Sequence, residues 1–302
     1  MKNQSGTEEQ MDLESIRSVA KADAETITPL TSRFTTMKWR CVCLFLALLA
    51  VSLITGCQLS RGAFALMHST DHLIALPSDH RVRYEPGAEL LAQKVAASLS
   101  AAIHQVEEAQ YVAFKAAVVI NVYATPESFS SHSATPVQAR GAQFNGAIHL
   151  SPLLNGRIET LASIVTHELS HFHLQQFGGG FGITPPWFEE GLAVIVSKGA
   201  GAEKVTEAEA VKAIISGQQF VPELSGGILT YKGASYYGLQ THMFYRQSAM
   251  FVAYLQQINP AAFKTMYLAL TRGDKFEEAF SHVYQQPISQ LWRSFIASIA
   301  ST

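Results

Sequence analysis

Residues 157 to 176, RIETLASIVTHELSHFHLQQ, constrain this chain more than any other stretch. Leu161, Ile164, Val165, Leu169 and Phe172 recur at helical spacing until Gly178, Gly179 and Gly180 stop the pattern, so the sequence predicts a helix with one apolar side. Set into that helix are His167, Glu168 and His171. Histidines four apart share a helical face with Cβ atoms about 5–6 Å apart, so both rings can direct a nitrogen at one metal ion. Glu168 is turned one position away, where a carboxylate reaches a water on such an ion without competing to bind it. Two histidines alone make a weak site, because a catalytic ion needs a third protein ligand and one open position.

The next predicted helix supplies a third. Residues 185 to 193 read PPWFEEGLA, with proline suited to the first turn, and the pattern runs through Leu192 and Ile195 to about Ser197. Glu190 stands 19 positions after His171. Adjacent glutamates cannot face the same ion across a helical step of about 100°. Spacing and the following glycine select Glu190, and Glu189 is expected on the solvated side. His173 falls on the far side of its helix.

HELSH followed at this distance by W-x-x-E-G-L-A resembles the gluzincin metallopeptidases, and residues 81 to 302 are similar to a peptidase MA-like domain. The resemblance implies an α+β fold: a small mixed sheet with the HExxH helix, followed by an all-helical C-terminal lobe, with lobes at about 81–177 and 178–302. It implies one Zn2+ per chain held by His167, His171 and Glu190, with Glu168 as general base for a water that attacks a peptide carbonyl. Gluzincins often stabilise the oxyanion with a tyrosine from the helical part, and Tyr245 stands at that distance from Glu190, with Tyr236 and Tyr237 as competitors. In this fold a strand before the active helix pairs with an extended peptide. That role is expected for Ala147, Ile148, His149 and Leu150. GAQFN, residues 141 to 145, is faintly similar to the aminopeptidase GAMEN motif, but Phe144 replaces its glutamate, which points to endopeptidase rather than aminopeptidase action. Val194 stands where thermolysin-like enzymes carry an aspartate, so support for a histidine has to come from elsewhere.

Other elements follow from periodicity. AELLAQKVAASLSAAIHQV places Leu91, Val95, Leu99, Ala102 and Val106 on one helical stripe. Residues 116 to 123 and 146 to 152 read as strands, and Thr125 caps a short helix starting at Pro126. Beyond Gly201 the pattern is helical only, over about 203–217, 238–257, 260–271, 275–284 and 287–299.

The N-terminal part has a different character. MKWRCVCLFLALLAVSLITGC, residues 37 to 57, joins a basic flank to an uncharged run from Cys41 to Thr55, short for a membrane span. Its end, Leu53-Ile54-Thr55-Gly56-Cys57, is similar to the lipobox of bacterial lipoproteins. The resemblance implies a signal peptide over 37–56, an acylated Cys57 that tethers the protein to a lipid bilayer, and a linker over 57–80. Residues 1 to 36 read as a disordered extension, or as sequence upstream of a true start at Met37. Gln58 lacks the aspartate tied to inner-membrane retention, so in a two-membrane bacterium the outer membrane, facing the periplasm, is expected. No cysteine follows Cys57, so disulfides play no part in the fold. With 15% charged residues and a net charge of −2 there is no basic patch, and nucleic acid is set aside as a partner. The expectation is a lipid-anchored extracytoplasmic zinc metallopeptidase acting on peptides or proteins. Its rival is a non-enzymatic envelope assembly or interaction lipoprotein that keeps the zinc only as a scaffold.

Overall fold

Short β-rich segments and long apolar-striped ones separate along this chain, and they fold into one sheet and a set of helices. The computed structural model describes residues 61–179, 183–225 and 231–301. The extension 1–36, the signal segment 37–56 and Cys57 lie outside these residues. No helix among the described residues is long and apolar enough to cross a membrane.

The strands are β1 (Ile74–Leu76), β2 (Asp79–Tyr84), β3 (Ile120–Val122), β4 (Gly141–Phe144) and β5 (Ala147–Leu150), in the spatial order β1-β2-β3-β5-β4. β2, β3 and β5 run parallel, while β1 and β4 are antiparallel additions at the two edges. Alternation splits the side chains between two faces. Val82, Ile120, Val122, Ile148 and Leu150 are fully buried on the first, under α1 (Glu89–Ala109) and α3 (Ile158–Gln176). The second face carries Asn121, Tyr123, Ala142 and His149, with α2 (Pro126–Ser133) supplying Phe129 and His132. Thr125 caps α2 by accepting from the Ser128 amide, as expected of a threonine before Pro126.

One expectation is overturned here. Ala147, Ile148, His149 and Leu150 do not form a free edge: β5 pairs with β3 on one side and β4 on the other, and all four residues are buried. The cause is the dipeptide Asn145-Gly146. Both residues take positive φ, 48° and 75°, the geometry of a two-residue hairpin turn that folds Gly141–Phe144 back as the outermost strand. The edge beside the helix of interest is therefore β4. At the other edge, β1 lies within 57–80, the stretch expected as linker. Its hairpin with β2 escapes a hydrophobic-pattern reading because β2 buries only Val82.

The second half is helical: α4 (Pro186–Val196), α5 (Glu207–Ile215), α6 (Thr241–Ile258), α7 (Pro260–Thr271), α8 (Phe276–Tyr284) and α9 (Ile288–Ala300). The helix starts obey local chemistry. Pro186 and Pro260 occupy first turns, Thr206 and Glu209 form a reciprocal capping box, and the Asn259 side chain accepts from the Ala262 amide. Trp187, Phe188, Phe220, Phe251, Phe276 and Trp292 fill the core between these helices. The fold is α+β, a small five-stranded mixed sheet with helices predominating.

Gly191 sets how α4 meets α6. A Cβ at this position would lie 2.6 Å from the Ser248 carbonyl oxygen, so only glycine lets the two backbones approach so closely. That contact fixes the rotation of α4 and hence the direction of Glu190.

Candidate metal centre

Three elements carry the centre: α3 with His167, Glu168 and His171, α4 with Glu190, and the loop after α4 with Ala200. The His167 and His171 Nε2 atoms lie 3.1 Å apart, and Glu190 Oε2 is 3.4 Å from each. The expected ligands are thus brought together, one atom from each within 4.8 Å of the others, and no other such group occurs among the described residues.

The orientation of each donor has a cause. His167 Nδ1 is 3.0 Å from the Ala200 carbonyl oxygen, which can only accept, so Nδ1 carries a proton and Nε2 is the nitrogen turned to the common point. This backbone oxygen fills the place left by Val194, whose side chain is buried in an apolar cluster. The loop reaches His167 through two glycines at positive φ, Gly199 at 113° and Gly201 at 87°. A Cβ on Gly201 would stand 2.8 Å from Tyr245 Cδ2 and 3.1 Å from His167 Cε1.

Glu190 is nearly inaccessible, and its Oε2 has no hydrogen-bond partner. A buried carboxylate oxygen left so is costly unless a cation meets it. Burial pushes Glu190 up, but the two histidines outweigh it and hold its carboxyl far below the usual range. Burial likewise depresses His171, yet the Glu190 carboxylate against it dominates and lifts it to about 9. Donor atoms packed this closely demand a positive charge, and the set can hold a metal ion.

Glu168 lies beside the ligands, not among them. Burial raises its carboxyl, with the two histidines opposing. Its carboxylate rests against β4 at Gly141, where any Cβ would fall 2.6 Å from Oε1, and Gln143 Nε2 donates to its backbone oxygen at 2.7 Å. Gly141 and Gln143 are cross-strand neighbours of Leu150 and Ile148, which puts them on the α3 side of the sheet. Phe144 faces the other side, towards His149. The residue at 144 therefore points away from Glu168, and the strand position that looks into the centre is Gln143.

Tyr245, on α6, lines the site. Its ring lies 6.0 Å from that of His167 at 19°, in the same cavity wall as Glu190. Burial, then the Glu190 charge, raises its phenol well above the ordinary value, so it is a neutral O–H donor. Tyr236 is exposed, and the Tyr237 hydroxyl donates to the Val221 carbonyl, so neither is a donor here. Sequence reasoning missed Tyr231, which lines the same cavity and whose phenol burial also raises. It follows a glycine-rich stretch without helical period, which gave no signal. Glu189 also differs from expectation. It is a wall of this cavity rather than a solvated residue, and its carboxylate accepts from the Thr184 hydroxyl. His173 is fully buried, bonded to the Tyr267 hydroxyl and the Val112 carbonyl, and takes no part.

Two cavities meet at Gly141, His167, Glu168 and Tyr245: one of about 360 Å³ towards His171, Glu189 and Tyr231, and one of about 920 Å³ towards Arg140, Glu203, Lys204 and His242. Together they form a cleft along β4. No family model matches this chain, and no curated protein matches it.

Proposed function

We propose that this chain is a zinc-dependent endopeptidase of the gluzincin kind, tethered to a bilayer through acylated Cys57 on the outer side of the cytoplasmic membrane. The observation that carries the reading is the convergence of His167 Nε2, His171 Nε2 and Glu190 Oε2, with a non-ligand carboxylate, Glu168, alongside in the same cleft. Ligands bound at about 2.0–2.1 Å in tetrahedral arrangement stand about 3.3 Å apart, and the separations here are 3.1 and 3.4 Å. A zinc ion in this set would acidify a water and polarise a carbonyl.

The chain's own residues account for the remaining steps. Glu168, its carboxyl raised by burial, is suited to take a proton from the water and return it to the leaving amine. Gly141 leaves room for that carboxylate. Tyr245, neutral and adjacent to Glu190, supplies an O–H to a developing oxyanion. β4 offers its outer edge to an extended peptide, the role first expected of β5. The strand turns no carboxylate into the centre to grip a free α-amine, which supports cleavage within chains. The lipid tether rests on the sequence alone.

The test is the full chain and its Glu168→Gln variant, assayed for metal and for cleavage of unstructured peptides. Both should hold about one zinc per chain, while the variant loses about 10²–10⁴-fold in cleavage rate. Undiminished cleavage by Glu168→Gln would sink the mechanism.

A further inference from the structure

The cleft is charged unevenly, and that asymmetry bears on the substrate. The inference rests on the peptidase reading. The larger cavity begins where β4 begins, and its wall carries Arg140, immediately before Gly141, together with Lys204, Glu203 and His242. Among the described residues neither Arg140 nor Lys204 has a carboxylate within ion-pair distance. Glu203, the acidic residue of that wall, stands 3.3 Å from His242 Nδ1 and forms no ion pair with either cation. Arg140 is half-buried, and among the described residues its side chain has no ion-pair partner.

The loop that presents Lys204 is anchored rather than loose. Arg246 donates from Nε to the Val205 carbonyl at 2.9 Å and from an Nη to the Ala202 carbonyl at 3.3 Å. At the opposite end of the cleft the smaller cavity has Glu189 in its wall and no lysine or arginine. A peptide lying antiparallel to β4 has its C-terminal half at Arg140 and its N-terminal half beyond Gln143.

We propose that the 920 Å³ cavity is a subsite for a carboxylate on the C-terminal side of the scissile bond, held by Arg140 with Lys204. Guanidinium and carboxylate match in a two-point geometry, which makes Arg140 the specificity residue and Lys204 a supporting charge. The carboxylate is either an acidic side chain or the free C-terminus of a short substrate.

The test uses internally quenched peptides with a single Glu or Gln walked through each position, each made as C-terminal acid and amide. Cleavage is measured with the full-length wild-type chain, and binding by fluorescence anisotropy with the full-length Glu168→Gln chain. The proposal expects Glu over Gln by about tenfold at one position after the cleaved bond if a side chain is recognised, whatever the C-terminus. If the terminus is recognised, acid is preferred over amide by a similar factor and cleavage falls at a fixed distance from it. Arg140→Gln should erase the preference, Arg140→Lys should keep part of it, and Lys204→Gln, at an exposed position, should weaken it severalfold. Cleavage with the same Glu/Gln and acid/amide ratios in wild type and Arg140→Gln would overturn the subsite and leave the peptidase standing. Carboxylate-selective binding without cleavage would do the reverse, and absence of both binding and cleavage would overturn both.

Discussion

The sheet has a histidine-rich cluster on each side, and among the described residues only one of them could hold a metal ion. On the second face His132 and His149 stack on Tyr123, and His68 and His72 pack against His132, with ring centroids 5.1 to 5.7 Å apart. Most of their nitrogens are engaged locally: His68 Nδ1 on the Phe64 carbonyl, His72 on the Ser69 carbonyl and Glu85, His132 Nδ1 on the Ser128 carbonyl, and His149 on the Phe144 carbonyl and Tyr123. On the α3 face, His167 spends one nitrogen on Ala200 and presents the other to a common point with His171 and Glu190. The number of histidines is thus a poor guide. What separates the clusters is whether lone pairs converge on one place and a carboxylate there lacks a partner.

The sharpest way to break this contrast is to remove that carboxylate. Glu190→Ala should take bound zinc from about one per chain to none after dialysis against trace metal, measured by elemental analysis. Retention of stoichiometric zinc would mean that the ion sits elsewhere.

A second test titrates the other cluster. Burial, reinforced by His132 and opposed by the bond to Phe144, lowers His149 to about 4. The unfolded chain therefore takes up a proton between its ordinary pKa near 6.5 and about 4 that the native protein refuses, and stability present above that window is lost as pH falls through it. The contribution is up to about 3 kcal/mol. Denaturant midpoints in His149→Phe should show a shallower decline over this range, and an unchanged slope would assign the acid sensitivity to other groups.

Smaller effects probe orientation. Gly201→Ala should disturb the loop that brings Ala200 to His167 and lower zinc affinity about 10–100-fold, read by competition with a chelating dye. Finally, His132→Ala should leave zinc affinity and stoichiometry unchanged, since its ring serves the second face. Any loss there would erase the distinction between the clusters.

How much of this was legible in the sequence depended on the kind of signal. Helices with a long apolar stripe were readable: α3 was expected over 157–176 and spans Ile158–Gln176, and the stripe Leu91, Val95, Leu99, Ala102 and Val106 is buried along α1. The convergence of His167, His171 and Glu190 was readable because residues on two helices, with fixed pitch, leave few ways to meet. The edge strand was misassigned because the three apolar residues of β5 outweigh the mixed sequence GAQF, although Asn145-Gly146 was a direct hairpin signal. β1 went unread because its hairpin partner β2 buries only Val82, and the contribution of Tyr231 depends on contacts distant in sequence, which local pattern cannot carry. The support for His167 was unreadable in principle, since a carbonyl is present at every position.

That last point has a consequence for how the centre varies. A side-chain acceptor behind a histidine is written in one codon and is lost or gained in one step. The Ala200 carbonyl is written in the course of the main chain between Gly199 and Gly201, and exchanging one side chain for another at position 200 leaves the acceptor atom in being. Adding or deleting a residue in that bend moves it at once. The orientation of His167 is therefore exposed to changes of loop length and to substitutions at the two glycines, and sheltered from a change of side chain at 200.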